Sequence, residues 1–204
     1  MSNINFSIEN LGTRSVPSPI TLSTTYGDSL ANYVNDDEYI MYNIHAHPDD
    51  PSKSYKKEEL LEAAGPREKI YFNPGHTHAA IVTCGGLCPG LNDVIRSIVR
   101  CLWHRYGVKR ITGIRNGYRG FLPEFCYPTM ELDPVVVDDI HTKGGTILGS
   151  SRGHGDRPVD LVDALERMNI NVLFTIGGDG TQKAALDISR EVKKRNLKIA
   201  IVGI

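Results

Sequence analysis

Asn171-Val172-Leu173-Phe174-Thr175-Ile176, followed at once by Gly177-Gly178-Asp179-Gly180-Thr181, decides how the chain folds. The first six residues are a short, nearly unbroken apolar run rich in β-branched side chains. Such a run suits a strand covered on both faces, in the middle of a parallel sheet. The glycines that follow break the strand, and a helical pattern then begins. Over residues 182–195, Ala184, Ala185, Ile188 and Val192 fall on one face, with Asn196 after them. Outward from this unit the same rhythm repeats. Residues 79–84 and 199–204 are two more apolar runs, and residues 92–106 and 158–168 are two more amphipathic helical patterns. These helical patterns stop at Gly107 and Asn169, residue types that tolerate positive φ. Strand and helix in alternation predict an α/β fold, a doubly wound parallel sheet of the Rossmann-like kind.

Upstream of about residue 78 the rhythm is absent. Pro17 and Pro19 precede a Ser/Thr-rich patch and the acidic Asp36-Asp37-Glu38, and Pro48-Asp49-Asp50-Pro51 follows. A short charged helix is predicted over residues 54–64, ended by Gly65-Pro66. Residues 1–78 therefore read as an amino-terminal extension or arm, and residues 79–204 as the folded α/β domain. His45, His47, Asp49 and Asp50 carry metal-ligand chemistry, but no regular element frames them, so a solvated loop is the reading there. His76 and His78 precede the first strand and receive no functional role.

The 204 residues carry a formal net charge of −1, with 40% hydrophobic and 23% charged residues. This balance is ordinary for a globular domain and gives no electrostatic reason to expect nucleic acid or a membrane as partner. No apolar run is long enough to span a bilayer, and the first residues have no secretory pattern. Cys84, Cys88, Cys101 and Cys126 complete no zinc pattern, and reduced thiols in a cytoplasmic protein are expected.

Open parallel sheets bind ligands where strand ends run into helix starts. Three loops qualify. Gly85-Gly86-Leu87-Cys88-Pro89-Gly90-Leu91-Asn92 follows one strand; its glycines allow close approach of a bulky anion, and Asn92 is predicted to cap the next helix. Gly177-Gly178-Asp179-Gly180-Thr181 offers open N–H groups and a helix dipole to phosphate. Asp179 is placed for Mg2+ bridging phosphates, and Thr181 supplies a hydroxyl at the helix start. The loop is not a Walker A sequence, because no Gly-Lys-Ser/Thr ending occurs. In Gly144-Gly145-Thr146-Ile147-Leu148-Gly149-Ser150-Ser151-Arg152-Gly153, Arg152 and the nearby Arg157 are predicted phosphate-gripping guanidiniums.

These three segments in this order, together with Gly117-Tyr118-Arg119-Gly120-Phe121, resemble the 6-phosphofructokinase family over residues 69–204. The wording is most similar to the longer-chain, ATP-using branch of plants, trypanosomatids and some bacteria. Short bacterial enzymes usually have Asp-Ala in place of Leu87-Cys88. The resemblance implies phosphoryl transfer from ATP to fructose 6-phosphate, in the cytoplasm, by a homo-oligomer. It places Gly86 against the nucleotide phosphates, Tyr118 near the adenosine, and Arg152 with Gly153 in the donor pocket. Gly178, Asp179, Gly180 and Thr181 hold the β- and γ-phosphates, with Asp179 on Mg2+. Members that use pyrophosphate tend to have Asp where this chain has Gly180, so ATP is the expected donor.

The family pattern continues into a Pro-x-Thr-Ile-Asp-Asn-Asp segment whose first Asp is the base on the sugar hydroxyl. That pattern is not within residues 1–204, so the chain is expected to be an amino-terminal portion with no catalytic residue of its own, inactive alone. The alternative is a truncated nucleotide-binding remnant or regulatory subunit. NAD kinases and lipid kinases also use Gly-Gly-Asp-Gly-Thr loops, but lack the other two segments in this arrangement.

Overall fold

Residues 5–42 and 59–204 are described by the computed structural model. They form two compact units, Met1–Tyr71 and Phe72–Ile204. His45, His47, Asp49 and Asp50 lie outside the described residues.

In the first unit, β1 (Val16–Pro17) pairs antiparallel with β4 (Lys69–Ile70), and β2 (Tyr39–Met41) with β3 (Leu60–Glu62). The helix predicted over residues 54–64 is therefore not formed in its described part. Cross-strand pairing such as Ile40 opposite Leu61 overrides the helical propensity of the leucines and glutamates. Ala63 is the one fully buried apolar side chain among this unit's described residues. With so little core, polar contacts stand in. Arg67 donates to the carbonyls of Val34, Asn35 and Ala63, which gathers two backbone segments around one guanidinium.

The second unit is built on a five-stranded sheet in the order β7-β6-β5-β8-β9. β5 (His78–Thr83), β6 (Arg110–Ile114), β8 (Val172–Ile176) and β9 (Ala200–Gly203) run parallel; β7 (Met130–Glu131) is an antiparallel edge strand. Every residue of β5 is buried, as the apolar run predicted. Its alternate side chains enter two cores. Ala80, Val82 and Cys84 pack with α2 (Pro158–Arg167) and α3 (Asp179–Lys194), while Ala79 and Ile81 pack with α1 (Leu91–Arg100). The doubly wound class is thus realised, with helices on both faces. β9 lies at the edge of the sheet, and Val202 and the following Ile204 are exposed.

The helices depart from expectation in two places. α1 ends at Arg100, and residues Cys101–Tyr106 continue as a wider π-type turn closed by Gly107 at φ 74°. Asn92 does not cap α1: the N-cap is Gly90 at φ 90°, a left-handed conformation that glycine adopts without strain. Asn92 is instead buried, donating to Lys143 O at 2.9 Å and accepting from Ile147 N at 2.9 Å. It clamps the 143–147 loop to the first turn of α1. Asn169 and Asn196 do take positive φ at the ends of α2 and α3. His78 is a satisfied interior histidine, bonded to Met168 O and Thr112 Oγ1; burial first, then the Arg110 charge, lower its pKa.

Arg195, just past α3, joins the two helices of one face. It reaches Glu191 at 2.8 Å, Asp163 at 2.6 Å, Glu166 at 2.8 Å and the Val159 carbonyl at 3.3 Å. A network of this kind contributes more than isolated surface pairs, though salt screens it. Arg195→Met is expected to lower the thermal midpoint by about 3 °C, with the gap narrowing in 1 M salt. A gap that salt leaves untouched would assign the loss to packing instead.

Candidate active site

The parallel strands run β6-β5-β8-β9 across the sheet, so the winding direction reverses between β5 and β8. A crevice opens at such a reversal, beyond the carboxyl ends of the two strands. Here the last rung pairs Thr83 with Ile176, and Cys84 N donates to Ile176 O at 2.9 Å. The two glycine loops leave the sheet side by side from this rung.

The third loop is fastened over the first. Gly85 N donates to Ser151 O at 2.9 Å, and the Ser150 hydroxyl donates to Gly85 O at 2.8 Å. Thr83 Oγ1 donates to Gly149 O at 2.7 Å, and Ser151 Oγ to Asn116 O at 2.6 Å. These small hydroxyl residues have backbone partners, so the loop's course is set by hydrogen bonds rather than by bulk.

A cavity of 840 Å3 lies among the loops, in the size range of small-molecule sites. Gly86, Tyr118, Arg152, Gly153, Gly178, Asp179, Gly180 and Thr181 all line it. The residues singled out in the sequence are therefore brought to one place. Their roles in the walls differ. Tyr118 is buried and its hydroxyl donates to Thr181 O at 3.0 Å; burial raises its pKa, so it remains a neutral donor. Thr181 is the third residue of α3, in its first turn, and is buried against Gly177. Cys84 closes the floor, its thiol pushed up to about 12 by burial. All four cysteines are free.

Arg157 is not a cavity residue. It forms ion pairs with Glu124 and with Asp160 (2.7 Å), and these two carboxylates hold its proton more firmly. Sequence position next to Arg152 gave no sign of those partners, which come from the Pro123–Phe125 turn and the first turn of α2. Arg152, by contrast, has no ion-pair or hydrogen-bond partner among the described residues, and a Cβ on Gly86 would lie 3.8 Å from its Nη2.

Four polar lining residues were not singled out in the sequence: His154, Asp156, Lys183 and Asp187. His154 accepts from Arg119 Nε at 3.3 Å and stands edge-on to Phe125. Lys183 and Asp187 follow Asp179 at steps of four along α3, a spacing that places them on its face. That spacing was a usable signal.

The fit to a magnesium-bound polyphosphate rests on three features. Among the described residues the backbone N–H groups of Gly178, Asp179 and Gly180 have no partners, at the start of the 16-residue α3. A Cβ at Gly178 or Gly180 would meet nothing within 4 Å, so the loop faces open space. Asp179 is exposed and has no ion pair among the described residues. No group of three or more potential metal-ligating side chains occurs among the described residues. The donor set therefore suits Mg2+ held by one carboxylate plus ligand phosphates, not an all-protein cage.

Comparison with known proteins adds the lineage. The ATP-dependent 6-phosphofructokinase of Borreliella burgdorferi is 54% identical over 202 residues, 99% of this chain and 44% of the relative. The ATP-dependent 6-phosphofructokinase 1 of Arabidopsis thaliana is 46% identical over 188 residues, 92% of this chain and 38% of the relative. The chain thus spans less than half the length of these curated relatives. In fold, it is similar to a crystal structure of the pyrophosphate-dependent phosphofructokinase of Marinobacter aquaeolei. That match has a TM-score of 0.54 at 19% identity and covers 62% of this chain and 32% of that one. The phosphofructokinase family model matches residues 78–204, which hold the whole sheet, all three loops and the cavity between them: the chain belongs to the phosphofructokinase family.

Proposed function

We propose that the cavity is the phosphoryl-donor site of an ATP-dependent 6-phosphofructokinase, taking Mg2+·ATP. The overall reaction converts ATP and D-fructose 6-phosphate to ADP and D-fructose 1,6-bisphosphate. The γ-phosphoryl group leaves the ADP oxygen and bonds to the sugar's C1 hydroxyl oxygen, which gives up its proton. The observation that carries this reading is the convergence of an unpaired carboxylate, an unpaired guanidinium and an open N-terminal turn on one switch-point cavity.

Each residue then has a part. Arg152 grips phosphate oxygens and offsets charge that develops on the transferred group. The N–H groups of residues 178–180 donate to the oxygens of the terminal phosphates, and Asp179 holds Mg2+. The metal, when bound, neutralises the phosphate oxygens. Gly86 lets backbone approach the phosphates, and Tyr118 with Gly153 walls the adenosine side. This reading gives residues 1–204 the donor half of the reaction.

The same reading makes the working protein a cytoplasmic homo-oligomer whose partner is fructose 6-phosphate, not nucleic acid or a membrane. The near-zero net charge supports the part of it that concerns nucleic acid and membranes, and the name 6-phosphofructokinase of the relatives supports the sugar phosphate. Among the described residues no helix is long and apolar enough to cross a membrane.

Titration calorimetry tests the donor assignment. Mg2+·ATP is expected to bind the purified chain, and Asp179→Asn is expected to weaken it about tenfold, through loss of one metal-held charge. Equal binding by the two proteins, or tighter binding without magnesium, would refute the role of Asp179. Stronger binding of pyrophosphate than of ATP would refute the donor.

A further inference from the structure

We propose that Lys183 is the donor-length sensor of this site: its ammonium contacts the nucleoside-proximal phosphate and so favours nucleotides over pyrophosphate. The inference rests on the donor-site reading above and deepens it.

The argument begins with helix geometry. Asp179, Lys183 and Asp187 are spaced by four residues on α3, and all three line the cavity. Eight residues of α-helix advance about 12 Å, so the cavity runs along α3 for roughly the length of an extended nucleotide. The end at Asp179 is the phosphate end, because both glycine loops and the open N–H groups are there. Lys183 is one turn along, about 6 Å further. A pyrophosphate seated on residues 178–180 ends before that point; the α-phosphate of a nucleoside triphosphate is the part of the donor that reaches it.

Charge supplies the second line. Among the lining residues Arg152 and Lys183 are the two cations, and Asp156, Asp179 and Asp187 are the acids. Asp187 is taken by Arg190, at 3.1 Å. Lys183 pairs with neither Asp179 nor Asp187, although each is at the i±4 position where a helix favours such a bridge, and it has no partner among the described residues. A flexible, exposed ammonium with no protein partner beside a cavity for a tetra-anionic donor is suited to a phosphate oxygen. Arg152 cannot do the same work, because it lies beside Gly86 at the terminal end.

The test compares Lys183→Met and Lys183→Arg with the wild-type chain, using Mg2+·ATP, Mg2+·ADP and Mg2+·pyrophosphate as titrants. Lys183 is exposed, and circular dichroism with a thermal melt checks that both variants keep the fold. Lys183→Met is expected to raise the dissociation constants of ATP and ADP about tenfold, to leave that of pyrophosphate within twofold, and to flatten the salt dependence of ATP binding. Lys183→Arg is expected to stay near wild type. Unchanged ATP binding by Lys183→Met overturns the inference while leaving the donor site standing, as does an equal loss for ATP and pyrophosphate. Failure of the wild-type chain to bind Mg2+·ATP is a different result, and it removes the donor reading and this inference together.

Discussion

Gly180→Asp is expected to fold as the wild type does and to lose Mg2+·ATP by at least about a hundredfold. The two halves of that expectation have separate causes. A Cβ at Gly180 would meet nothing within 4 Å, so the larger side chain displaces no atom. A carboxylate in the first turn of a helix also interacts well with the N-terminal dipole, which holds or slightly raises stability. The cost falls on the ligand. The new charge projects into the space that the donor's phosphates need, next to Asp179, and repulsion of about 3 kcal/mol at a few ångströms in a partly wet site gives a factor on the order of a hundred. Gly180→Ala, which fills space without charge, separates the two effects and is expected to lose only a few fold. Pyrophosphate, shorter than ATP, is expected to suffer less, so the donor preference moves toward it. Calorimetry on the three proteins measures all of this. An aspartate variant that keeps ATP affinity within tenfold would show that Gly180 does not face the donor.

The second large effect is on stability. Gly177→Ala should cost about 3 kcal/mol, a fall of roughly 6–12 °C in thermal midpoint. A Cβ there would be 2.5 Å from the Cys84 carbonyl oxygen and 2.9 Å from Thr181 Cβ, and it would also strike the Thr181 hydroxyl. Two of those atoms cannot swing aside: one belongs to the backbone that leaves β5, the other to a buried residue of α3. The neighbouring Gly178→Ala is the control, because its Cβ meets nothing within 4 Å. It is expected to stay within about 0.5 kcal/mol of wild type, in line with ordinary surface substitutions. Equal melting of the two alanine variants would mean that the loops are not packed against each other as described.

How much of this was legible beforehand depended on the length scale of the cause. Strands β5 and β8 and helices α1 to α3 announced themselves because hydrophobic periodicity and the Gly or Asn stop signals act within a dozen residues. The glycine loops were readable for the same reason, since each sits directly between a strand and a helix. Tertiary partners were not readable. Leu60–Glu62 carries helical propensity, yet it pairs with β2, more than a dozen residues away. Arg157 looked like a companion of Arg152 until Glu124 and Asp160 claimed it. Asn92 looked like a cap because it begins a helical pattern, but Gly90 already turns the chain, which frees the amide to bind Lys143 and Ile147. For Lys183 the local signal is the four-residue step from Asp179 along α3.

The bonds that hold the loops of the cavity together join main chain to main chain, as from Cys84 N to Ile176 O and Gly85 N to Ser151 O, or come from the hydroxyls of Thr83, Ser150 and Ser151. None of these links uses a side chain at position 86, 152, 180 or 183. Libraries randomised together at positions 86, 152, 180 and 183 should therefore return a high fraction of folded proteins, and selection for new phosphate donors can start from this chain without first stabilising it.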